Sequence, residues 1–99
     1  MGFFSNLFKT TSVEEMKEKI VNGGLLLDVR TKGEFTGGHI KGSKNIPLDQ
    51  LENSLSKLDK TKPIVAVCAS GMRSGSAVGL LKRYGFTEVY NGGSWTKYL

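Results

Sequence analysis

The sequence predicts an α/β domain of three layers, a mostly parallel sheet with helices on both faces. Three observations carry that expectation. Leu25-Leu-Leu-Asp-Val-Arg30 and Ile64-Val-Ala-Val67 are short apolar runs without alternation, the pattern of strands buried on both faces. Segments of helical period stand between and after them. The connections are too long for hairpins, so successive strands run parallel through crossovers.

Each element has a local reason. Ser12-Val-Glu-Glu15 is a capping box, in which the Ser12 hydroxyl accepts a backbone N–H and Glu15 reaches back. It opens a helix through Met16 and Ile20 that Asn22-Gly-Gly24 stops. After the Leu25 strand, Thr31 to Gly38 has room for one helical turn around Glu34-Phe35. His39 to Leu48 reads as a loop and a short strand ended by Pro47. Leu51, Leu55 and Leu58 recur at helical spacing and predict an amphipathic helix over 49–58, broken by Lys60-Thr-Lys-Pro63. The β-branched strand Ile64–Val67 runs straight into Cys68. A third helix is expected from Ser74 to Tyr84, with Ala77, Val78, Leu81 and Tyr84 inward and Lys82 and Arg83 at its negative end. Gly85 stops it, Glu88-Val-Tyr90 is the last strand, and Gly92-Gly93 leads into a turn holding Trp95.

The bulk of the sequence narrows the function classes. Its 99 residues suit one domain, expected over 11–99 behind a short lead of residues 1–10. A single cysteine excludes an intramolecular disulfide, and with His39 as the only histidine a tetrahedral zinc site lacks ligands. No metal or other cofactor is expected. A free thiol fits a reducing, cytoplasmic setting. The net charge of +5 is spread over Lys41, Lys44, Lys57, Lys60, Lys62, Lys82 and Arg83 rather than gathered into a stripe with interleaved aromatics. That argues against nucleic acid and for a mild preference for anionic substrates or acidic partners. Met1 to Lys9 lacks the basic start and cleavage site of a signal peptide, and Asn6 stands where a myristoylation signal carries Ser or Thr. Phe3, Phe4, Leu7 and Phe8 share one helical face, read as packing against the domain, with a membrane or partner contact as the alternative. No run approaches the length of a transmembrane segment.

The candidate site is the strand, loop and helix around Cys68. In open α/β sheets, ligands bind beyond the carboxyl ends of the strands, and Cys68 sits at such an end. The following loop feeds a helix N-terminus, whose free N–H groups and dipole stabilise an anion. Ser70, Gly71 and Ser74 are small enough for the backbone to curl around the sulfur, and Arg73 adds a positive charge. All of these favour thiolate over thiol, and the thiolate is the nucleophile. A lone cysteine ending an apolar strand is most often a core residue. Such a residue needs no loop of small residues closed by Arg and followed by Ser, so Cys68 is read as catalytic, with Ala69, Ser70, Gly71, Met72, Arg73 and Ser74 as its binding loop.

Several motifs in order make the family resemblance specific. Leu27-Asp-Val-Arg30, Glu34-Phe35, Gly38-His-Ile40, Gly42-Ser43 and Asn45-Ile-Pro47 resemble the front half of a rhodanese domain. Cys68-Ala-Ser-Gly-Met-Arg-Ser74 resembles its active-site loop, and Asn91-Gly-Gly93 with Trp95 its closing segment. The resemblance implies a rhodanese-like fold with a five-stranded parallel sheet. It also implies a sulfurtransferase or persulfide carrier that takes sulfane sulfur onto Cys68 and passes it to a thiol or protein acceptor. Two departures bear on the donor. Ala69 stands where the family often has Arg or Lys, and Glu34 where two-domain thiosulfate enzymes carry a basic residue. Both turn against thiosulfate and leave protein persulfides, glutathione persulfide or polysulfide.

Two rivals share the scaffold. A phosphatase or arsenate reductase would use the same thiolate, but the related dual-specificity phosphatases place one more residue between Cys and Arg than the four here. A non-catalytic rhodanese-like binding module would not need the intact loop. Among the remaining residues, Asp28 with Arg30 is read as a structural pair, His39 as a hydrogen-bonded structural residue, Trp95 as core or lid, and Met72 as a shaper of the entrance.

Overall fold

The computed structural model describes residues 12–99. Thr11 and the apolar residues Phe3 to Phe8 lie outside the described residues. Helix α1 (Val13–Val21) begins at the expected capping box, with the Ser12 hydroxyl accepting from the Glu15 N–H. Strand β1 (Leu25–Asp28), the one-turn helix α2 (Lys32–Thr36) and the two-residue strand β2 (Lys44–Asn45) follow. Helix α3 (Leu48–Leu51) continues as a 3₁₀ helix over Glu52–Lys57. Strand β3 (Ile64–Cys68), helix α4 (Met72–Arg83), strand β4 (Val89–Ser94) and a closing 3₁₀ turn (Trp95–Tyr98) complete the order. No described helix is long and apolar enough to cross a membrane.

The sheet is parallel, in the order β2-β1-β3-β4. Alternate residues of the central strands feed two cores. Leu26, Val65 and Val67 meet Met16 of α1 and Tyr98 of the closing turn on one face. Leu27, Ile64, Ala66 and Cys68 meet Leu51, Leu58, Ala77 and Leu81 on the other. Every residue of β3 is buried, which is why its sequence shows no alternation.

The structure corrects five expectations, the first being Tyr84, which is 42% exposed rather than inward and donates its hydroxyl to Glu52. The described sheet has four strands rather than five, because the spacers over 31–43 and 59–63 are rich in Gly, Lys and other polar residues with no apolar run to extend it. The helix expected over 49–58 is mostly 3₁₀: the Ser54 hydroxyl donates to the Gln50 carbonyl within this stretch, while Leu51, Leu55 and Leu58 still reach the core. Helix α4 starts two residues early, at Met72. Gly71, at φ 104°, makes the entry turn that a side-chain cap would otherwise make. Strand β4 runs on through Gly92 and Gly93, where the pairing with β3 slips by one residue. A Cβ on Gly92 would lie 2.7 Å from both Tyr98 Oη and Val65 Cγ1, so that bulge requires glycine.

Candidate active site

β1 connects to β2 on one side of the sheet, whereas β3 connects to β4 on the other. The connections therefore part between β1 and β3, and the crevice beyond these two strand ends is where open α/β sheets bind ligands. α2 closes it from the β1 side and the loop 69–71 from the β3 side. Cys68, the last residue of β3, stands at this point.

The Cys68 sulfur is fully buried. It accepts from the Gly71 N–H at 2.9 Å and the Ser74 N–H at 3.3 Å, with the Ser74 hydroxyl 3.4 Å away. Helix α4 has no side-chain cap of its own. The sulfur takes that place, so a negative charge on it meets the positive end of the helix. Burial pushes the thiol pKa up; the Ser74 hydroxyl and the Ser74, Gly71 and Ser70 backbones outweigh it, and the balance is lowered. Met72 and Arg73 bring further first-turn amides, which have no acceptor within their own helix. The Met72 side chain is 80 % exposed beside them.

Arg73 brings the expected positive charge to the loop, but paired with a carboxylate. Its Nη1 and Nη2 donate to Glu34 Oε1 and Oε2 at 2.7 and 3.0 Å, a two-pronged pair between α4 and α2. The same carboxylate accepts the Thr31 N–H. These partners hold the Glu34 pKa at about 2, led by the Arg73 hydrogen bond. Glu34 is thus ionised at any working pH. Its contribution to stability is complete above its ordinary 4.5 and is lost as the pH falls through about 2. The anion cradle of Cys68 is made of backbone and hydroxyl donors, while the arginine at its rim is paired.

The other residues singled out in the sequence sit behind the crevice. Arg30 grips Asp28 through Nε and Nη2, and both are buried. The Arg30 guanidinium also lies 4.4 Å from the Trp95 ring. His39 Nδ1 lies 2.8 Å from the Phe35 carbonyl oxygen, and its ring stacks on Phe35 at 3.9 Å. Sequence reasoning missed one participant. Asn91, exposed on β4, reaches Ser74 and Gly71. Its only sequence signal is its place before Gly92-Gly93.

Fold and site together define a parallel α/β protein with a cysteine cradle at the exit of a central strand. The chain belongs to the rhodanese-like domain family, whose profile matches residues 12–99. It is 40% identical over 85 residues to YqhL of Bacillus subtilis, spanning 86% of this chain and 67% of that one. It is 33% identical to the thiosulfate sulfurtransferase GlpE of Ectopseudomonas mendocina, over 85% of this chain and 77% of the relative. The crystal structure of SSP1007 from Staphylococcus saprophyticus superposes with a TM-score of 0.75 at 30% identity, covering 88% of this chain and 89% of that one.

Proposed function

We propose that the chain is a single-domain sulfurtransferase in which Cys68 is the nucleophile and carries the sulfur as a persulfide. The observation that supports this most is the Cys68 sulfur in a cradle of N–H and O–H donors at the head of α4. The Cys68 thiolate attacks the outer sulfur of a donor R–S–SH; the new S–S bond forms as the old one breaks, and RS⁻ leaves with the bonding pair. An external thiolate then takes the outer sulfur and returns Cys68 as thiolate. The chain has a single cysteine, so no internal thiol can resolve the persulfide. Sγ is buried, which leaves the outer sulfur as the atom an acceptor meets, near the first-turn amides of Met72 and Arg73. A reducing, cytoplasmic setting suits this free thiol.

Intact-mass measurement after incubation with polysulfide, glutathione persulfide or thiosulfate tests the reading directly. One added sulfur atom is expected, released by cyanide. An unmodified chain with all three donors would overturn it.

The Glu34–Arg73 pair supports glutathione persulfide or polysulfide as donor over the thiosulfate dianion. A compact dianion gains most from an unpaired rim cation, and here the rim arginine is paired. Glu34→Gln keeps an acceptor for the Thr31 N–H and leaves the Arg73 charge unpaired. The expected result is a KM for thiosulfate lower by about tenfold, with a much smaller change for glutathione persulfide. Equal effects on both donors would remove Glu34 from donor selection.

A further inference from the structure

The Asn91 carboxamide joins three pieces of the site. Its Nδ2 donates to the Gly71 carbonyl at 3.0 Å, and its Oδ1 accepts the Ser74 hydroxyl at 2.7 Å and the Gly93 N–H at 3.0 Å. The Gly93 N–H can only donate and the Gly71 carbonyl can only accept, so the carboxamide has one orientation. The two groups it holds on the loop are those that hold the sulfur: the Gly71 N–H, and Ser74 through N–H and Oγ. Gly71 is the residue in the left-handed turn at the entry to α4, and its carbonyl is gripped both by Asn91 and by the Gly75 N–H at 3.1 Å. Gly75 makes the approach possible, because a Cβ there would stand 3.3 Å from Asn91 Nδ2.

We propose that Asn91 is a positioning residue for Cys68: without touching the sulfur, it fixes the Gly71 and Ser74 donors and so sets how strongly the loop holds an anion there. The slip in pairing between β3 and β4 falls just after Ala66 and Asn91, and at this bulge the carboxamide is brought over the loop. The Ser74 hydroxyl has one proton and two acceptors, Oδ1 and the sulfur. With the proton on Oδ1 the Ser74 side chain is held in place, and a thiolate is met by the Gly71 and Ser74 N–H groups. Anion stabilisation then comes from donors already in place. The charged groups around the sulfur are Arg73 with Glu34, the Asp28–Arg30 pair behind β1, and Lys97, whose Nζ stands 3.2 Å from where a Gly93 Cβ would be. Asn91 hydrogen-bonds none of them, so its replacement leaves the local charge unaltered.

The inference rests on the proposed role of Cys68 but is tested without a sulfur donor. The rate of alkylation of the single cysteine by iodoacetamide, followed against pH, gives the thiol pKa and a plateau rate. In Asn91→Ala the midpoint should rise by about 0.5–1 pH unit, leaving roughly three- to tenfold less thiolate below the midpoint, with a plateau within about twofold of the parent. Gly75→Ala provides the control for folding. It should favour the helix, since alanine is the better helix former, yet crowd Asn91 and move the midpoint in the same direction. An unmoved or lowered midpoint in Asn91→Ala, or an unmoved one in Gly75→Ala, would overturn the proposal. A raised midpoint in a chain that takes no sulfur would uphold it while the sulfurtransferase reading fails.

Discussion

Cys68→Ser is expected to end sulfur loading and transfer altogether while the domain remains folded. The serine hydroxyl occupies the same buried place and meets the same Gly71 N–H and Ser74 donors, so the substitution buries a polar atom that has partners. Such a change costs about 1 kcal/mol, set against the roughly 3–5 kcal/mol of an unpaired buried charge. Chemistry fails for a different reason. A hydroxyl is not ionised by donors that suffice for a thiol, and it forms no stable bond to sulfane sulfur. Because the chain holds no other cysteine, the variant has no second place for covalent sulfur. Intact mass should show the unmodified chain with every donor, and transfer to a thiol acceptor should fall to the uncatalysed rate, with Tm lowered by roughly 4–8 °C at most. Sulfur retained on Cys68→Ser would overturn the assignment of the nucleophile.

Where sequence reading succeeded and where it stopped follows the range of the interactions. The capping box at Ser12 depends on residues within a few positions of one another, and so does the Asp28–Arg30 pair; both are visible in a string of letters. The apolar runs of β1 and β3 reveal their burial because a strand covered on both faces has no solvent side to mark. The Glu34–Arg73 pair was beyond reach. Its members are 39 positions apart, and each has a sensible local role, Glu34 in a cap and Arg73 at a loop end. Only the meeting of α2 with α4 across the switch point turns the expected cation into a paired one. Asn91 was hidden in the same way, since its partners lie on the loop and helix that follow another strand. The 3₁₀ stretch over Glu52–Lys57 escaped for the opposite reason: leucine periodicity reports which residues face the core, and it fits a tightened helix nearly as well as a regular one.

Arg30→Ala should be the most destabilising single change in this part of the molecule. Arg30 is 3% and Asp28 1% exposed, so removing the guanidinium leaves a carboxylate buried without its cation. Breaking such a pair costs about 3–5 kcal/mol, roughly a fifth or more of the 5–15 kcal/mol typical of a domain. With each kcal/mol lowering Tm by roughly 4–8 °C at this size, a loss of about 12 °C or more is expected. The guanidinium also donates to the carbonyls of Gly38 at 2.7 Å and Glu34 at 3.3 Å, so it anchors α2 from behind. Its loss should loosen Glu34 from Arg73 in the molecules that stay folded, and these should shift toward thiosulfate as Glu34→Gln does. The double variant Asp28→Asn with Arg30→Ala should recover part of the lost stability, because no unpaired charge then remains inside. A Tm drop of only a few degrees for Arg30→Ala, or strictly additive losses in the double variant, would show that the pair is not holding the β1 end of the crevice. Donor selection would then rest on the Glu34–Arg73 contact alone.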